Sequence, residues 1–164
     1  MDKFVFFRYG YGDVKDGLLA RLETEELEVP FNVIVEDGSD LDLQEEDVCC
    51  AELYGTAGDD MEVWPTEEAL YANGCDMAVP SMIPVGTFPR TWGEPFYQNP
   101  WILFVGTVLE VEAAPEPGSE RSIYCLLVET LEMTLHLSFH YESFIKPGDI
   151  LHGTARLRGR ITRV

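Results

Sequence analysis

The stretch "MTLHLSFHY", residues 133–141, constrains the fold most, because apolar and polar residues alternate along it without a break. In an extended strand successive side chains leave opposite faces. Met133, Leu135, Leu137, Phe139 and Tyr141 then share one side, and Thr134, His136, Ser138 and His140 the other. A helix would mix the two sets around its circumference and give neither a coherent place. The alternation therefore predicts a strand with one face on a core and the other in water.

The surrounding residues read as further strands. "WILFVGTVLEVEAA" from Trp101 is one, with Gly106 inside it, and "PEPGSE" is a turn. "RSIYCLLVETLEMTLHLSFHYE" has no glycine or proline and is too long for one ordinary strand. It divides into two antiparallel strands around Glu129 to Glu132, although the usual turn residues are missing there. Pro147, Gly148 and Asp149 make the next turn, and a last strand follows, interrupted at Gly153. Closely connected strands with internal glycine suit a sheet that bends on itself, since glycine permits an approach that a side chain would block. The expected fold class is mainly β (α+β), an OB-like closed or partly closed antiparallel β-barrel. Residues 100–164 would be its core, with a strand contributed from about 48–54.

Residues 1–99 read as an acidic, β-rich N-terminal segment packed on that barrel, the whole making one compact domain. "KFVFFRYG", "FNVIVEDG" and "DVCCAELYG" are candidate strands, the last ending before Gly55. "DVKDGLLARLETEEL" suggests a short helix with Leu18, Leu19 and Leu22 on its apolar side. A second helix is expected from about residue 67, where Thr66 can cap it, Glu67 and Glu68 suit its positive end, and Asn73 with Gly74 stop it. The proline-rich stretch from Ala78 to Pro100 carries too many large apolar residues for a solvated tether and reads as an ordered connector.

Charge narrows the functional classes. The net charge is −19, and the first 99 residues hold 22 acids against five bases, whereas the remainder holds eight against six. Such a field favours a basic protein partner and disfavours nucleic acid and anionic membrane surfaces. The first residues lack the basic lead and long apolar run of an export signal, and no stretch is apolar enough to span a bilayer, so a cytoplasmic location is expected. Four cysteines, two of them adjacent, make a poor disulfide framework and are expected reduced, with Cys125 a buried packing residue.

The candidate ligand surface comprises Tyr124, His136, His140, His152, Arg156 and Arg158. His136 and His140 share a strand face but stand roughly 13 Å apart at the standard rise, too far for both to bind one metal unaided. His152 could approach either of them, with Glu129, Glu132 or Glu142 completing a site. Arg156, Arg158 and Arg160 alternate with Leu157 and Gly159, so a strand would present them together as a solubilising row or as a track for a single strand of nucleic acid. The acidic run "VEDGSDLDLQEED" lacks the glycine of an EF-hand loop, and there is no phosphate loop, nucleophile elbow or zinc-helix signature. No catalytic residue, metal or cofactor is assigned. The candidate interaction residues are the aromatics Trp64, Trp92, Phe96, Tyr97 and Trp101.

"SMIPVGTFPR", "NPWILFVGTVLEVE" and "IKPGDILHGTARLRGR" resemble segments of an uncharacterised group of small bacterial cytoplasmic proteins with an OB-like barrel, over roughly residues 48–164. That resemblance implies an architecture and carries no activity. The functional expectation is a noncatalytic domain that binds a basic protein or itself. The alternative is an enzyme or ligand-binding protein using the histidine-bearing face or a pocket between barrel and connector, and a weaker one is single-stranded nucleic-acid binding.

Overall fold

The computed structural model describes residues 2–89, 93 and 96–164; Trp92 lies outside the described residues. The elements in order are β1 (Asp2–Tyr11), β2 (Leu18–Thr24), β3 (Pro30–Val35), β4 (Val48–Ala57), β5 (Glu62–Trp64), α1 (Glu67–Ala72), β6 (Ser81–Ile83), β7 (Trp101–Pro115), β8 (Ser122–Thr130), β9 (Met133–Tyr141) and β10 (Ile150–Arg163). A single 3-10 turn spans Val85–Thr87. Contacts divide the chain into two compact units. The first is Met1–Leu53, Ile83–Ile102 and Arg156–Val164, and the second is Tyr54–Met82 and Leu103–Ala155.

In the first unit β1 pairs antiparallel with β2 and with β4, β2 pairs antiparallel with β3, and β3 pairs parallel with β10. In the second unit β7, β8 and β9 form an antiparallel meander, β9 pairs parallel with β4, and β5 pairs antiparallel with β10. β10 pairs in addition with β4 and β7, which gives the strand order a ring-like return. The mainly β class with minor helix is as the residue patterns require. The two parallel pairings correct the expectation of a wholly antiparallel sheet.

β9 behaves as its alternation demands. Met133, Leu135, Leu137 and Phe139 are buried, and His136 and His140 are exposed. Tyr141 departs from the pattern: it is half-buried and stacks on Phe139 with ring centroids 5.0 Å apart. The turn into β9 takes only Leu131 and Glu132, with Glu132 in the left-handed region at φ 54°. A glutamate there supplies no ordinary turn signal, which is why the sequence marks the division so faintly.

Residues 18–24 are a strand rather than the expected helix. Ala20, Leu22 and Thr24 are buried at a spacing of two and pair with β1 on one side and β3 on the other. Three leucines fit either period, and the presence of two pairing partners decides between them. β4 continues through Gly55 to Ala57, and β10 runs unbroken through Gly153. At Gly153 a Cβ would lie 2.7 Å from the Met61 Cα, so glycine there admits a close chain approach without ending the strand. α1 forms as expected: the Thr66 hydroxyl accepts the Ala69 N–H at 3.1 Å, and Asn73 is the C-cap. Its Leu70 is buried with Val105 and Ile150, and Trp64, Cys75, Met77 and Val79 pack against them.

Candidate functional site

The three histidines take separate partners. His136 faces Tyr54 across the parallel β4–β9 pairing, and the rings stack with centroids 5.2 Å apart. His140 lies 3.2 Å from Glu116, which also pairs with Arg121 at 3.2 Å. The hydrogen bond from His140, and then Arg121, hold the Glu116 carboxyl below its ordinary value against its own desolvation. His152 Nδ1 sits 2.7 Å from the Glu62 carboxylate, its cross-strand partner. Among the described residues no group of three histidine, cysteine or acidic side chains is placed to hold a metal ion. Glu129, Glu132 and Glu142 complete no such cluster with His152.

Two single residues fall on the opposite face from the one expected. Tyr124 is buried, and its hydroxyl donates to the Ser143 carbonyl at 2.7 Å, so it belongs to the core and not to a ligand surface. Cys125 is exposed, opposite Ser138 on β9. One fact explains both: β8 alternates, so a tyrosine on the core side sends its neighbour outward. Trp64 is half-buried and packs on the Leu70 cluster.

Arg156, Arg158 and Arg160 do share one side of β10, since Leu157 and Gly159 are buried between them. They do not form a free cationic track. Arg156 pairs with Asp16 at 2.6 Å, Arg158 with Glu36 at 2.9 Å, Arg160 with Glu52 at 3.2 Å and Arg163 with Asp40 at 2.6 Å. Each acid comes from the acidic first half of the chain, so the row is neutralised from within.

The most site-like surface of the first unit lies where the connector crosses β1, β2 and β3. Asn32 on β3 is 4% exposed, and its amide donates to the Gln98 side chain at 2.8 Å, the Asn99 carbonyl at 3.2 Å and the Gly86 carbonyl at 3.3 Å. Gln98 in turn donates to the Thr87 carbonyl, and Asn99 N–H donates to the Gly86 carbonyl at 3.0 Å. At Gly86 a Cβ would meet the Asn99 carbonyl oxygen at 2.0 Å, so only glycine lets the connector fold back on itself there.

This strap bounds two hollows. The larger, about 480 Å³, is lined by Asp13, Lys15, Asp16, Tyr97, Asn99, Trp101 and Arg156. Of the expected aromatic contacts, Tyr97 is 69% exposed, Trp101 is half-buried in the cleft wall, and Phe96 is half-buried. The smaller, about 40 Å³, is lined by Arg8, Gly10, Tyr11, Leu19, Arg21, Asn32 and Gln98. Reading residues 18–24 as a helix hid Arg21 and its neighbours; the two-residue spacing of Ala20, Leu22 and Thr24 was the signal that could have shown them. Among the described residues no helix is long and apolar enough to cross a membrane. Comparison with known protein families, with curated proteins and with solved structures gives no match for this chain.

Proposed function

We propose that the chain is a noncatalytic interaction domain on an OB-like barrel, and that it docks a basic segment of another protein in the cleft beside Tyr97 and Trp101. The observation that carries the reading is an aromatic rim on a cleft whose acids Asp13 and Asp16 are matched by Lys15 and Arg156, in a chain whose overall charge is −19. Nearby, Tyr11 at the end of β1 is 80% exposed and Val14 on the β1–β2 turn 98%. That apolar surface extends beyond what a small molecule in the cleft would cover, and exposed aromatics of this kind anchor protein interfaces. Charge decides between the two partner classes. A second copy would bring another −19, whereas a cationic segment is drawn in by the same field.

A photo-crosslinking residue in place of Tyr97, with one in place of the exposed Leu41 as control, tests the proposal in cell extract. The expected product is a basic protein captured at the first position and not the second. Its purified form should bind the full chain, lose affinity about tenfold or more with Tyr97→Ala or Trp101→Ala, and weaken as salt is raised. A specific dimer of the chain crosslinked at this position, or equal capture at both positions, defeats the reading.

A further inference from the structure

The smaller hollow of the first unit holds two arginines that the pairing of β1 with β2 sets directly opposite each other. Strand alternation from Phe4 and Phe6, both buried, would turn residue 8 toward the core. The register shift between Phe6 and Arg8 prevents this: Phe6 pairs with Leu22, but Arg8 pairs with Arg21. The bulge thus moves Arg8 to the outer face, beside Arg21 and beside Asn32, which pairs with Arg21 from β3. Like charges placed opposite one another destabilise a sheet. The five arginines at 121, 156, 158, 160 and 163 each have a carboxylate within 3.2 Å, and among the described residues no such ion pair serves Arg8 or Arg21. The field of Glu23 reaches Arg21, yet burial, and after it the charge of Arg8, hold that guanidinium below its ordinary value. Next along the strands, Gly10 pairs with Leu19, and a Cβ on Gly10 would meet nothing within 4 Å among the described residues. The hollow above the arginines is therefore open.

We propose that Arg8 and Arg21 form a binding site for a phosphate dianion, free or as the monoester of a small molecule, held over Gly10 and roofed by Gln98. Two planar guanidinium forks fit a group with two charges and three or four oxygens, whereas a single carboxylate would satisfy only one of them. The site borders the docking surface at Tyr11 but binds through different residues. It can fail while the cleft binds its partner, and the reverse.

The test is a titration of the full chain, followed by amide resonances at constant ionic strength, with inorganic phosphate in one arm and glycerol phosphate in the other. Sodium chloride is the control. The expected result is saturable movement of residues 8–11 and 19–21 with one or both phosphates below about 10 mM, and none with chloride. Binding by inorganic phosphate alone marks a free-ion site, and tighter binding of the ester marks a monoester site. Arg8→Gln and Arg21→Gln should each weaken binding about tenfold or more, and Arg21→Lys should recover part of it. With no phosphate present, either glutamine variant should melt no lower than the parent, because it relieves a repulsion. Gly10→Val fills the open space and should remove binding with both guanidiniums retained. No saturable shift with either phosphate, or shifts that persist unchanged in both glutamine variants, overturns the assignment.

Discussion

Asn32 ties the strap that carries Tyr97 to the sheet at β3, while the Leu157 N–H holds its end at the Pro100 carbonyl. Its amide carries two hydrogens and faces three acceptors, of which Gln98 at 2.8 Å is best placed. Two well-formed bonds at a time is therefore the most it can make. Asn32→Ala removes both at a site that is 4% exposed. At a net value of about 0.5–1.5 kcal/mol each, the loss is about 1–3 kcal/mol, or a fall in Tm of about 2–12 °C for a chain of this size. Urea unfolding of the variant reads the loss, with the shift belonging to the first unit's transition if the units melt apart. An alanine variant within about 0.5 kcal/mol of the parent would show that Asn32 does not hold the strap.

Other expectations are simpler to measure. Cys125 is exposed and should react rapidly with a thiol reagent in the native state, while Cys49, pushed up to about 12 chiefly by burial, should react only on unfolding; Cys125→Ser identifies the fast thiol. Burial first, then the charges of Asp40, Cys49 and Asp42, raise the Tyr9 phenol to about 12, so its contribution to stability is complete below the unfolded value of about 10 and disappears as pH rises through about 12. Absorbance titration of the parent against Tyr9→Phe should reveal one late-ionising phenol. Thr66→Ala removes the cap of α1 and should cost about 1 kcal/mol, seen as faster amide exchange over Glu67–Ala72. Moderate sodium chloride should raise the melting temperature of the full chain, and a fall would show that the ion pairs along β10 outweigh the repulsion among the carboxylates.

Legibility in the sequence followed the periodicity. β9 could be read because every second residue from Met133 to Phe139 is large and apolar, and α1 because Thr66, Asn73 and Gly74 mark its ends. β2 could not, since Leu18, Leu19 and Leu22 satisfy a helical stripe as well as a strand, and the choice came from β1 and β3 on either side. The short strands β5 and β6, of three residues each, are too brief to carry a period at all. In the site, Tyr97 and Trp101 were visible as aromatics, while their cleft depends on Asn32 fastening the connector. The Arg8–Arg21 juxtaposition is further from view. It needs both the correct state of β2 and a one-residue bulge that no local signal announces.

The charge of the chain is arranged differently from what its two halves suggest. The second half is close to neutral by count and its last strand carries four arginines, but each of Arg156, Arg158, Arg160 and Arg163 is bound by an acid from the first half. Those pairs are mostly solvent-exposed and so contribute little individually; their larger effect is to cancel a row of arginines that could have drawn a polyanion. The excess carboxylates, over 30 acids to 11 bases, stay unmatched and repel one another throughout the folded chain. Salt screens both the attractions along β10 and that repulsion, and the repulsion involves more charges over longer distances, which is why salt should stabilise. Against that background the two arginines beside Gly10 stand apart. In a molecule with acids to spare, a cationic pair kept side by side by a bulge, with no ion pair to a carboxylate among the described residues, is arranged for an anion that comes from outside.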